Sequence, residues 1–305
     1  MVSLFADLPP DVRLMEVGPR DGLQNEKTVV DTASKVSFVE SLVDAGCRRI
    51  EVTAFVNPRW IPPLADQVEV ARGISRRPGV AYAALVPNMK GYEGAKSTGM
   101  GEIAFVLAAS DTHNRKNINA GTEEALSRYV EVAERAKGDG IPFRGYISCA
   151  FGCPYEGAIA EKAVVDVAER LLELGAYEIS VGDTIGVGNP KQTATLMRTL
   201  SRSVPLERIA LHLHDTRGTA LANIVAGLEV GVRSFDSSAG GLGGCPYAPG
   251  AAGNVSTEDL VYMLHAMGVS TGIDLDKFCD VSLRMERVLG RTLPSKVLAT
   301  RRGAC

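Results

Sequence analysis

The sequence predicts an α/β chain folded as a (β/α)8 barrel with a short helical C-terminal extension. Three observations carry this. Eight β-rich segments alternate with amphipathic helical ones over roughly 250 residues. No G-x-G-x-x-G follows the first strand, which counts against an open doubly wound sheet. No linker rich in Gly, Pro or Ser separates a second unit, so residues 1–270 read as the barrel and 271–305 as an extension packed on it.

Val12 to Val17 reads as the first strand. A helix opens near Asp31/Thr32 and closes at Gly46, with Val36, Val39, Leu42 and Val43 at helical spacing. Arg49 to Phe55, Ala81 to Val86 and Glu102 to Leu107 are the next three strands. Thr122 is expected to cap a helix that turns Leu126, Tyr129, Val130 and Ala133 inward and stops near Gly138. Phe143 to Cys149 is the fifth strand. Glu161 to Leu174 is helical, with Val164, Ala168, Leu171 and Leu172 inward and Gly175 as the stop. Tyr177 to Val181 is the sixth strand. Asn189-Pro190 pairs a cap with proline at the first helical position. Ile209 to Leu213, Ala220 to Val230 and Arg233 to Ser237 give the seventh strand, a helix and the eighth strand. Asp274 to Gly290 is an amphipathic helix in the tail.

Composition narrows the function classes. The chain has 305 residues, 45% hydrophobic and 23% charged, the balance of a globular protein with a sizeable core. Its net charge of −3, with basic residues scattered, argues against a nucleic-acid groove. No apolar run is long enough to span a bilayer. The start, MVSLFADLPPDV, has no cationic flank and no long apolar core, so the cytosol is the expected compartment. Six cysteines without C-x-x-C spacing suggest neither a disulfide framework nor a structural zinc site.

Active sites of such barrels lie at the C-terminal strand ends, so polar residues there are the candidates. The first strand runs into Gly18-Pro19 and presents Arg20 and Asp21. The second carries Glu51, and the sixth ends at Asp183. The seventh gives His212 and His214, which share a face because strand side chains alternate. The eighth runs into a glycine-rich stretch holding Cys245 and Asn254. Charged groups at so many strand ends are costly if buried alone, and convergence on a cation resolves that cost. Asp21, His212, His214 and Asn254 offer a carboxylate, two imidazoles and an amide oxygen. That set suits Mg2+ or Mn2+, although spacing leaves Zn2+ and Fe2+ open. The ordinary alternative is a pair of histidines satisfied by hydrogen bonds. Arg20 can meet a carboxylate or an oxyanion, or form a salt bridge with Glu51 or Asp183. Cys245 can serve as an acid or base, or be an inert small residue. The glycines from Gly240 to Gly253 lack a P-loop ending and suit a lid.

VGPRDGLQNE, SCAFGCPYEG, YEISVGDTIGVG, HLHDT with ALAN, and GGLGGCPYAPGAAGN closely resemble the 3-hydroxy-3-methylglutaryl-CoA lyase family. The resemblance runs from about Glu16 to Val297. It implies a metal-dependent retro-Claisen lyase that takes an acyl-CoA and serves leucine breakdown. It also implies that Asp21, His212, His214 and Asn254 hold the cation and that Arg20 meets the substrate. On the same grounds Cys245 and His212 move protons, with the acid and base roles left open. Glu51 and Asp183 are expected to orient Arg20 and the histidines. Barrels of this kind often pair, so a homodimer or higher homo-oligomer is expected. Arg217, Thr219 and Ala54 depart from many family members, which keeps a lyase for citramalyl-CoA or a longer branched 3-hydroxyacyl-CoA as the alternative. More distant rivals are an isopropylmalate-synthase-like condensing enzyme, a pyruvate-dependent aldolase and a non-catalytic metal- or CoA-binding scaffold.

Overall fold

The computed structural model describes residues 8–244 and 252–302. Among them, eight parallel strands close a barrel in chain order: β1 (Arg13–Glu16), β2 (Arg49–Ala54), β3 (Ala81–Leu85), β4 (Glu102–Ala108), β5 (Phe143–Ser148), β6 (Glu178–Asp183), β7 (Ile209–Leu213) and β8 (Ser234–Ser237). β8 returns to β1 with Leu14 opposite Phe235 and Glu16 opposite Ser237. The helices are α1 (Thr32–Asp44), α2 (Gln67–Gly73), α3 (Met89–Ser97), α4 (Asp111–Ile118), α5 (Thr122–Gly138), α6 (Glu161–Glu173), α7 (Pro190–Leu200), α8 (Ala220–Val230), α9 (Thr257–Ala266), α10 (Leu275–Leu289) and α11 (Lys296–Arg301). Among the described residues, no helix is long and apolar enough to cross a membrane.

The apolar core lies between sheet and helices. Ile50, Phe105, Ile147, Val181, Leu211 and Phe235 are buried with Val39, Leu42, Val132, Leu171 and Ile224 in one cluster. The strand residues between them carry polar and charged groups: Glu51 on β2, Arg144 on β5, Glu178 and Ser180 on β6, and Asp236 on β8, all buried. An apolar outer layer therefore surrounds a polar interior that leads to the C-terminal mouth.

Two details of the expected helices change. Thr122 is the first helical residue of α5 and Gly121 the cap; the Thr122 hydroxyl instead accepts a hydrogen bond from Asn114 Nδ2 at 2.9 Å. Val130 is 41% exposed, and Val132 and Ala136 complete the inward face. The short helices α2, α3 and α4 were not apparent from periodicity, since each has too few turns to display it. In the C-terminal region α10 turns Phe278, Val281, Met285 and Leu289 into the main core, beside α1.

Candidate metal centre and active site

After β1 the chain makes one wide turn over Gly18–Gly22, in which Asp21 N and Gly22 N both donate to Val17 O. Such π-type turns often mark functional sites. Glycine is required here. A Cβ on Gly18 would sit 2.5 Å from Glu16 Oε1, and one on Gly22 would sit 2.8 Å from Leu242 Cβ. The turn aims Arg20 and Asp21 at the barrel mouth.

Arg20 is 5% exposed. Its Nε donates to Glu51 Oε2 at 2.6 Å and its Nη1 to Asp21 Oδ1 at 2.6 Å. The guanidinium also lies over the Tyr146 ring, 5.7 Å from the centroid. The expected salt bridge to Glu51 is present; Asp183 takes no part in it. Burial pushes Asp21 up, but Arg20 beside it and the two histidines prevail and hold it well below the usual carboxylate range.

His212 and His214 lie at the end of β7 with ring centroids 5.4 Å apart. Asp21, His212 and His214 each offer a ligand atom, all within 4.8 Å of one another. A short antiparallel bridge pairs His214 with Asn254, and Val255 N donates to Leu213 O at 2.9 Å. The pairing sets Asn254 beside the cluster, where its Nδ2 donates to Asp21 Oδ2 at 2.7 Å. Gly243 leaves that amide its space: a Cβ there would fall 2.6 Å from Asn254 Nδ2.

These groups suit a cation. Burial, then His212 alongside, pushes His214 down to about 4, so the ring is neutral near neutral pH and its lone pair is available. His214 Nδ1 is buried and has no hydrogen-bond partner among the described residues. A carboxylate and two imidazoles converge, with the Asn254 amide beside them, and leave one buried nitrogen orphaned, which a bound cation would satisfy.

The Asp183 carboxylate bonds neither Arg20 nor an imidazole ring among the described residues, although the Asp183 carbonyl accepts from His214 N at 3.3 Å. Its Oδ1 accepts from Val187 N at 3.0 Å and its Oδ2 from Gly188 N at 2.8 Å, so it shapes the loop between β6 and α7. Two of the unusual residues serve the same loop. Arg217 Nη1 donates to Ile185 O at 2.7 Å, and Thr219 Oγ1 to Gly188 O at 3.1 Å. Ala54 is fully buried at the end of β2. Cys245 and most of the glycine loop lie outside the described residues.

Besides Asp21, a second carboxylate, absent from the sequence-based candidates, meets a histidine at hydrogen-bond distance. His212 Nδ1 lies 3.1 Å from Asp236 Oδ2. Asp236 is gripped by Arg144 through both guanidinium Nη atoms, at 2.6 and 3.0 Å, and by Ser180 Oγ at 2.8 Å. Burial pushes Asp236 up, yet Arg144 outweighs it and holds the carboxyl well below the usual range. The available signal was a lone charged residue within a short buried strand, as in Ser234-Phe235-Asp236-Ser237.

Closed parallel barrel and clustered donors together define a (β/α)8 protein with a candidate cation site at its C-terminal mouth, the arrangement of metal-assisted enzymes. Comparisons agree with it. The chain belongs to the HMGL-like family, whose model matches residues 11–284. It is 50% identical to the hydroxymethylglutaryl-CoA lyase of Pseudomonas mevalonii, across 92% of this chain and 93% of that one. It is 48% identical to the cytoplasmic 3-hydroxy-3-methylglutaryl-CoA lyase of Rattus norvegicus, across 97% of this chain and 86% of that one. The crystal structure of the Bacillus subtilis HMG-CoA lyase superposes with a TM-score of 0.96 at 47% identity, covering 97% of this chain and 99% of that one.

Proposed function

We propose that the protein is a hydroxymethylglutaryl-CoA lyase, cleaving 3-hydroxy-3-methylglutaryl-CoA to acetyl-CoA and acetoacetate. One observation carries the reading: Arg20, Asp21, His212 and His214 meet at the mouth of a barrel nearly half identical to named lyases along almost its whole length. The cation we assign to Asp21, His212, His214 and Asn254 is Mg2+ or Mn2+, on the strength of the oxygen-bearing donor set. Bound there, it would acidify the substrate hydroxyl and fix its orientation.

The chain's own groups account for the remaining chemistry. The hydroxyl proton leaves to a base, the C2–C3 bond breaks, and its electron pair becomes the thioester enolate. Acetoacetate departs, and a proton delivered to C2 completes acetyl-CoA. Arg20, kept in place by Glu51, is suited to stabilise the enolate oxygen. His212 and Cys245 are the proposed proton carriers. The departures at Arg217 and Thr219 bond loop backbone and leave the donor cluster intact, which supports the methylglutaryl ester as substrate. We further propose a cytosolic homo-oligomer.

The test is to mix the protein and Mg2+ with the methylglutaryl, citramalyl and longer branched 3-hydroxyacyl esters of CoA. Acetyl-CoA from the methylglutaryl ester alone is expected. Preference for another ester overturns the substrate, and release from none overturns the activity.

A further inference from the structure

The two histidines are not equivalent, and the difference lies beneath them in the barrel. His214 Nδ1 is buried and unpartnered. His212 Nδ1 rests on Asp236 Oδ2 at 3.1 Å, while its Nε2 points to the cluster, 3.8 Å from Asp21 Oδ2. Asp236 cannot turn away. Arg144 from β5 holds both its oxygens, Ser180 from β6 holds one, and Glu178 anchors the far side of Arg144 through Nε at 2.7 Å. Arg144 and Asp236 are essentially buried, at 0% and 2% exposure. A carboxylate in a bidentate arginine pair is ionised and only accepts hydrogen bonds. The hydrogen between it and His212 therefore belongs to Nδ1, and Nε2 is the nitrogen that faces the cluster.

We propose that Asp236 is a positioning residue: anchored by Arg144, it fixes His212 in the Nδ1–H tautomer and makes it the stronger of the two imidazole donors to the cation. Carboxylates placed behind ligating histidines orient the ring and raise its basicity. Its placement also explains the charged barrel interior. Arg49, Glu178, Arg144 and Asp236 form an unbroken chain of ion pairs ending at His212. The inference rests on the proposed role of His212 in holding the cation.

Two measurements test it. Long-range 15N–1H correlation on the metal-free protein, carrying 15N-labelled histidine, reads the tautomer directly. The signals of His212 are identified by their loss in His212→Asn. We expect Nδ1–H for His212; an Nε2–H ring overturns the inference, whatever any variant does. Titration with Mn2+ then compares the wild type with Asp236→Asn, which keeps the shape and removes the charge. Affinity about 10- to 100-fold weaker is expected. Equal affinity in a folded variant overturns the inference while leaving the cation site standing. A wild type that binds no Mn2+ overturns the cation reading itself.

Discussion

Arg20 and Asp21 are adjacent in the chain but have separable duties. Arg20 is held by Glu51 and, in the proposed mechanism, would meet developing negative charge, whereas Asp21 belongs to the donor cluster. Arg20→Gln should lower turnover by about 100-fold or more, the usual result of losing an oxyanion donor. Its Mn2+ affinity should stay near wild type in the same titration. Asp21→Ala should do the reverse to binding, removing measurable Mn2+ affinity; an undiminished isotherm would strike Asp21 from the ligand set. At this scale the sequence was informative where a residue sits at a strand end. Arg20, Asp21, Glu51, His212, His214 and Asn254 do assemble. Asp183 also ends a strand, yet serves its own loop, and position along a strand could not reveal that. Asp236 was missed because its partner Arg144 lies 92 residues away, and only barrel closure unites them.

The elements after β1 and β8 are fastened to each other by buried acids. Glu16 Oε1 accepts from Gly18 N at 2.8 Å and Ala239 N at 2.9 Å, and its Oε2 from Thr257 Oγ1 at 2.6 Å. Glu258 receives Gly240 N on both oxygens, at 2.8 and 3.0 Å. These contacts fix the roots of the Arg20–Asp21 turn and of the glycine loop. Burial pushes Glu16 up to about 8 and Glu258 up to about 7, from ordinary values of 4.5. The folded protein thus holds protons that the unfolded chain has released. Their stabilising contribution is complete below the unfolded value and is lost as pH rises through about 7 and about 8. Melting of the metal-free protein should therefore fall in temperature across that window, and Glu16→Gln should flatten part of the fall. An identical slope in the variant would show that Glu16 does not titrate there. Regular elements were the most legible feature of the sequence: β7 and α8 match their expected limits, each being an apolar run bounded by breakers. The helix α9 was hidden behind the glycines, although Ser256 at its start accepts from Asp259 N at 3.2 Å, a readable cap.

The whole molecule depends on the barrel and its C-terminal helices sharing one core. Phe278, Val281, Met285 and Leu289 of α10 are buried in it. Each such side chain contributes about 2 kcal/mol, so the four together rival the net stability of a typical domain. A chain ending before α10 should aggregate or melt without cooperativity; a soluble, cooperatively melting truncation would mark 271–305 as a detachable appendage. The barrel class was legible from eight β-rich segments with amphipathic helices between several of them, even though the short helices after β2, β3 and β4 show no period. The polar interior was not, since the ion-pair chain from Arg49 to His212 joins five separate strands that only barrel closure brings together. The proposed chemistry needs one cation at the mouth. Anomalous diffraction from crystals soaked in Mn2+ locates it directly. A peak bonded to Asp21, His212 and His214 together is the predicted result, and a peak elsewhere, or none at saturating Mn2+, would contradict it.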